Sequence, residues 1–202
     1  MKKPLPVILL PLILLFSVSA VKAQVSFGVK GGLSFYNFTG SAVKDLGLNQ
    51  SRSLKPGLIV GVISEIRLSK LFTLQPGLLY SQEGNYQKSG GDKSVYNFNY
   101  LNIPVMLQYR DRSGFFGETG PQWGYLLSSS NKTTSGDVTS ETSITDQSQK
   151  QVFSWAIGCG WMFRTRIGIN ARSSWGLSSI FKGQSNLTNS GFNATVFYLF
   201  GR

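Results

Sequence analysis

The feature that most constrains this chain is a residue-by-residue alternation of apolar side chains with polar or small ones, repeated in segment after segment. From Leu58 to Leu68 the even positions Leu58, Val60, Val62, Ile66 and Leu68 are apolar, while Gly57, Gly61, Glu65 and Arg67 hold odd ones. A period of two sends successive side chains to opposite faces, so the segment is a strand with one oily and one charged face. Phe72, Leu74, Pro76, Leu78 and Tyr80 repeat the pattern against Thr73, Gln75, Gly77 and Ser81. Leu101 to Tyr109 alternates with Asn102, Pro104, Met106, Gln108 and Arg110, and Phe153 to Phe163 alternates with Ser154, Ala156, Gly158, Gly160 and Arg164. Ile167, Ile169, Ala171, Trp175 and Leu177 oppose Arg166, Gly168, Asn170, Arg172 and Gly176. Phe192, Ala194, Val196, Tyr198 and Phe200 oppose Asn193 and Thr195. Two further segments, near Val25 to Phe38 and Phe115 to Leu127, show the pattern more weakly.

This makes about eight strands of roughly 10 to 14 residues, near the roughly 9 to 11 that a tilted strand needs to cross a bilayer and above the five or six usual in soluble sheets. The connections alternate in length as well. Short ones lie at Ser69-Lys70, Asp111 to Gly114 and Thr165, whereas Thr39 to Leu54, Gln87 to Tyr96, Ser128 to Gln151 and Ser178 to Ser190 are long and polar. Short periplasmic turns and long extracellular loops characterise outer-membrane barrels, and an even strand count leaves both termini on the periplasmic side. The expected fold is therefore all-β: a single closed antiparallel up-and-down transmembrane β-barrel of about eight strands. Ser128 to Gln151 is polar enough to predict a mobile loop, and Pro76 interrupts a central strand. Aromatic residues gather at two levels, matching two membrane interfaces: Phe72, Tyr109, Phe115, Trp161, Phe163, Tyr198 and Phe200 near the short turns, and Phe35, Phe38, Tyr80, Trp123, Tyr125, Phe153 and Trp175 near the long loops.

The N-terminus predicts export. Met1-Lys2-Lys3, the apolar run Val7 to Phe16 and Val21-Lys22-Ala23 before Gln24 have the order of a secretory signal peptide. The run is shorter than the roughly 20 residues of a membrane-spanning helix, and no Cys follows it to mark a lipoprotein. The expected organisation is a leader at 1–23 and a barrel domain at 24–202. Removing Lys2, Lys3 and Lys22 lowers the formal charge from +11 to +8. An exported basic chain meets lipid head groups and lipopolysaccharide phosphates before nucleic acid, so the expected partners are outer-membrane lipid and lipopolysaccharide, with no nucleic acid.

Catalytic chemistry finds little to stand on. The chain has no His and a single Cys159, which falls on the oily register. Ser and Thr concentrate in loops, and neither a metal-ligand spacing nor a phosphate-binding glycine motif emerges, so no enzyme activity, metal or cofactor is expected. If the oily face meets lipid, Lys30, Glu65, Arg67, Glu118, Gln122, Arg164, Arg166 and Arg172 face the interior. An eight-stranded barrel is about wide enough to be filled by side chains. Because an unpaired buried charge is expensive, Glu65 and Glu118 are expected to accept hydrogen bonds from the surplus of Arg and Lys in a structural network. The sharper alternative lines a narrow anion-selective path with the surplus positive charge.

The run Phe27-Gly28-Val29-Lys30-Gly31-Gly32-Leu33-Ser34, then Lys55-Pro56-Gly57 with Gly61-Val62, and Leu74-Gln75-Pro76-Gly77-Leu78-Leu79-Tyr80-Ser81 resemble the PorT-like outer-membrane β-barrel family of Bacteroidetes. Tyr100-Leu101-Asn102-Ile103-Pro104-Val105, Gly120-Pro121-Gln122 with Gly124-Tyr125-Leu126, and Gly168-Ile169-Asn170-Ala171-Arg172 are similar to its later strands. The resemblance implies an eight-stranded, porin-like barrel in the outer membrane, built with the barrel assembly machinery. It carries no functional-site motif to transfer. Three roles follow as expectations: a lipid-embedded scaffold presenting four variable loops to an unidentified protein partner, a narrow anion or small-solute channel, or a secreted lipocalin-like barrel with the oily face turned inward.

Overall fold

Alternation in the sequence becomes register in space. The computed structural model describes residues 25–39, 54–89, 92–135, 138–181 and 187–200. The expected leader at 1–23, most of the Thr39 to Leu54 connection, the side chain of Phe38 and Gly201-Arg202 lie outside them. The strands are β1 Val25–Thr39, β2 Lys55–Arg67, β3 Phe72–Ser89, β4 Asp92–Arg110, β5 Phe115–Ser135, β6 Val138–Ser143, β7 Gln151–Met162, β8 Ile167–Gly176 and β9 Thr188–Phe200. Every neighbouring pair is antiparallel, and the order β1-β2-β3-β4-β5-β7-β8-β9 closes where β9 pairs with β1 from Phe27–Phe200 to Thr39–Thr188. The ring thus has eight strands, and β6 stands outside it, paired only with the end of β5.

The oily face points outward. Phe27, Val60, Ile157, Trp161 and Val196 are exposed, while their immediate neighbours Gly28, Ile59, Ala156 and Phe197 are buried. A lipocalin-like barrel requires the opposite orientation. Across the ladder the outward aromatics meet as cross-strand pairs: Phe72 against Tyr109 at 5.6 Å and Phe115 against Trp161 at 6.4 Å near the turns. Phe35 lies against Phe192 at 6.4 Å near the loops, where Trp155 also pairs with Trp175. Proline breaks the ladder where it lacks a donor: the β2–β3 pairing steps from Ile63–Gly77 to Ile66–Leu74 over Pro76, and the β4–β5 pairing steps from Pro104–Gln122 to Leu107–Thr119.

The short turns are tightly fixed. In the β4–β5 turn Asp111 accepts from the Arg112 amide at 2.6 Å and the Ser113 hydroxyl at 3.1 Å, and Gly114 adopts a φ of 101° that favours glycine. The Arg112 amide, then the Ser113 hydroxyl, hold the Asp111 carboxyl below its ordinary range. A depressed folded value stabilises the turn above the unfolded value and is lost as pH falls through the folded one.

Two of the long connections differ from expectation. Residues 87–89 and 92–96 continue β3 and β4, paired from Tyr86–Val95 to Ser89–Asp92. Within Ser128 to Gln151, expected as a loop, the described residues form the end of β5, β6 and a 3-10 turn at Thr145–Gln147, with β5 and β6 paired from Ser130–Ser143 to Ser135–Val138. Polar composition misleads here because a hairpin beyond the membrane is solvated on both faces and needs no apolar one.

Buried apolar side chains form two clusters inside the ring. Phe98, Tyr100, Leu126, Ile180 and Leu187 fill the loop end, where Ile180 and Leu187 come from the β8–β9 connection. Ile59, Ile63, Leu79, Phe116, Phe197 and Leu199 lie lower, and Phe116 meets Phe197 edge-on at 6.1 Å. Glycine makes room for these rings. Phe197 faces Gly168 across β8–β9, and a Cβ at Gly168 would lie 2.2 Å from the Phe197 ring. Gly168→Val is therefore expected to displace the ring and destabilise the barrel by about 1–3 kcal/mol, read as a lower urea midpoint in phospholipid vesicles.

Candidate functional site

The charged interior is assembled from every side of the lower lumen. Glu118 on β5 and Arg172 on β8 form a fully enclosed ion pair, with Arg172 Nε donating to Glu118 Oε1 at 2.7 Å. The two residues flank Gly158 of β7, which pairs with both. A Cβ at Gly158 would stand 3.1 Å from Glu118 Oε1, so the absence of a side chain on β7 lets the pair reach across it. Asn170 donates to Glu118 Oε1 at 2.7 Å, Gln108 donates to Oε2 at 3.0 Å, and Thr195 donates to Asn170.

Gln108 joins this group to a second. Its Oε1 accepts from Arg110 at 2.9 Å, and Arg110 grips Glu65 with both terminal nitrogens, at 2.6 and 3.2 Å. Such a forked geometry is among the stronger side-chain contacts. Gln75 donates to Glu65 at 3.2 Å and accepts from Lys30 Nζ at 3.4 Å. The cations also lie on rings: Lys30 is 5.2 Å from the Phe197 centroid and Arg110 5.5 Å from that of Phe116. Charged, amide and aromatic side chains thus meet across the lower lumen.

The residues singled out from the sequence divide into two groups. Lys30, Glu65, Glu118, Gln122 and Arg172 are buried, and all but Gln122 belong to the lower network. Arg67, Arg164 and Arg166 are exposed and sit around the turn-end mouth, so they are not part of the enclosed network. Arg67 ends β2 and the other two occupy the β7–β8 turn, where alternation no longer determines direction. Gln122 lies higher, on a second polar group.

That group centres on Glu83, which sequence reasoning missed. Glu83 Oε1 accepts from Ser81 at 2.7 Å and Asn102 at 3.0 Å, and Oε2 accepts from Asn189 at 2.6 Å. Tyr36 and Ser174 hydroxyls meet at 3.1 Å nearby. An enclosed cavity of about 20 Å³ lies beside Tyr36, Glu83, Tyr100 and Gln122, room for about one water beside the unpartnered Tyr100 hydroxyl. Glu83 and Arg110 both continue the inward phase of Ser81 and Gln108 by two residues, a signal present in the sequence. Among the described residues no three His, Cys, Asp or Glu side chains stand together as a metal site.

The geometry, an apolar outer belt around a hydrogen-bonded polar lumen, is that of a membrane barrel. The sequence matches the outer membrane protein beta-barrel domain over residues 19–182. The chain belongs to this family. Membership in the outer-membrane β-barrel family implies an outer-membrane location. Neisserial surface protein A is similar in structure at 12% identity, covering 88% of this chain and 99% of its own, with a TM-score of 0.55. The attachment invasion locus protein Ail of Yersinia pestis, solved with the heparin analogue sucrose octasulfate, is similar at 10% identity, 88% and 99% coverage, and a TM-score of 0.50. At such identities the likeness concerns the fold. A search of curated proteins finds no sequence match. Like other barrels closed by backbone pairing, this barrel is expected to run faster on a gel before boiling than after. Equal mobility would contradict closure.

Proposed function

We propose that this outer-membrane barrel is a non-enzymatic scaffold that carries its long hairpins outside the cell and has a lumen closed to solutes. The observation that carries the reading is the filled interior: the Glu118–Arg172 and Glu65–Arg110 pairs occupy the lower lumen, and Ile180 and Leu187 pack over Phe98 and Tyr100 at the loop end. Above the belt, the β3–β4 hairpin and the β5–β6 hairpin offer backbone and polar side chains for contact with a protein partner or lipopolysaccharide. All six β6 residues are exposed. The shared motifs support a PorT-like affiliation, and the N-terminal pattern supports export with cleavage before Gln24, which N-terminal sequencing of the mature protein would find first.

Two measurements test the scaffold. An epitope inserted between Ser135 and Val138 should be labelled on intact cells, and purified barrel in planar bilayers should give no stable conductance steps. Chloride-selective steps that fall in Arg172→Gln or Arg67→Gln would replace the scaffold by the narrow anion channel. Labelling only after lysis would place the hairpins on the other side of the membrane.

A further inference from the structure

The turn-end mouth carries chemistry that the enclosed network does not use. A cavity of about 360 Å³ opens there, and its polar lining is Ser26, Glu65, Arg67, Arg110, Arg164 and Arg166. Among the described lining residues, the guanidinium groups of Arg67, Arg110, Arg164 and Arg166 stand around the Glu65 carboxylate. The one carboxylate, Glu65, accepts from both terminal nitrogens of Arg110.

The β7–β8 turn that supplies Arg164 and Arg166 is anchored rather than trailing. The Phe163 amide donates to Ile167 O at 2.8 Å, the Arg166 amide to Phe163 O at 3.2 Å, and the Leu199 amide to Arg166 O at 3.1 Å. Arg166 has a φ of 67°, the left-handed conformation that glycine or asparagine adopts readily and that a long side chain disfavours. A disfavoured backbone retained at a charged mouth points to a role for the side chain it holds there.

We propose that this mouth binds a phosphate group. A carboxylate is served by one arginine fork, as Glu65 is by Arg110, whereas a phosphate monoester brings close to two negative charges and three strong acceptor oxygens. Arg164 and Arg166 supply the matching charge from a turn fixed by its backbone hydrogen bonds. The phosphate is carried by a solute or, as a singly charged diester with two free oxygens, by a phospholipid head group of the adjoining leaflet; both present a phosphoryl anion that an arginine fork can hold. This assignment is independent of whether the lumen conducts.

The test uses the full mature barrel, folded in a non-ionic detergent and titrated with inorganic phosphate by calorimetry, with native mass spectrometry of barrel extracted from phosphatidylglycerol nanodiscs. Saturable phosphate binding weakened about tenfold in Arg164→Gln identifies the group and a soluble source. Retained phosphatidylglycerol without phosphate binding, lost in the same variant, identifies a lipid source. Arg166→Gly separates binding from architecture, because glycine suits the turn: the barrel should keep its unboiled gel mobility and gain urea resistance while ligand affinity falls about tenfold. No binding of either probe, or affinity unchanged in both variants, overturns the site.

Discussion

Glu118→Leu is expected to destabilise the barrel by about 3–5 kcal/mol, since it strands a buried guanidinium. Arg172 is 2% exposed and donates to Glu118, while Asn170 and Gln108 lose the same acceptor. Lys30 shares this lumen as a second cation, and the Glu65 carboxylate is already held by Arg110 and Gln75. Urea titration in phospholipid vesicles, followed by the fluorescence of the lipid-facing Trp155, Trp161 and Trp175, measures the loss. The double variant Glu118→Leu with Arg172→Met should recover most of it, because removing both charges also removes their desolvation. A single-variant loss below about 1 kcal/mol would mean that water reaches the pair and would reopen the lumen as a conduit.

Gly32→Val should have an effect beyond the roughly 1–3 kcal/mol of ordinary overpacking. A Cβ at Gly32 would lie 2.1 Å from Ala194 O and 2.7 Å from Thr195 Cα, both on the backbone of β9, which has no rotamer by which to yield. The neighbouring Gly31 meets nothing nearer than Ile59 O at 3.8 Å, so Gly31→Val should fold. The expected result is a heat-shifting band for Gly31→Val and none for Gly32→Val. Equal behaviour of the two would show that β1 and β9 do not approach as described.

Much of this architecture was legible from spacing alone. Alternation assigned the outward face of Leu58 to Leu68 and the inward face of Lys30, Glu118 and Arg172, because period two leaves a strand no other freedom. It failed where that constraint ends. Arg67 stands at a strand end, and Arg164 and Arg166 lie in a turn that contains a left-handed residue no pattern announced. Phe116 and Phe197 sit on the inward phase beside Phe115 and Tyr198, but apolar character argued for lipid when position argued for lumen. Their places follow only from pairing, which sets each opposite a glycine, Gly160 and Gly168. Register between distant strands is a property of the closed ring, so the partners of Glu83, drawn from β3, β4 and β9, could not be read from any one segment.

The β1–β9 seam has a kinetic consequence. It joins Phe27 to Phe200, so the first strand waits for nearly the whole chain before its second edge is satisfied. Contacts of such sequence separation form late and make folding slow. Until then two unpaired edges and an oily face travel together through water, a combination prone to aggregation. Refolding from urea should therefore be limited by a single late event, coincident with the appearance of the fast-migrating species, and a chain shortened before β9 should yield aggregate rather than a seven-stranded intermediate.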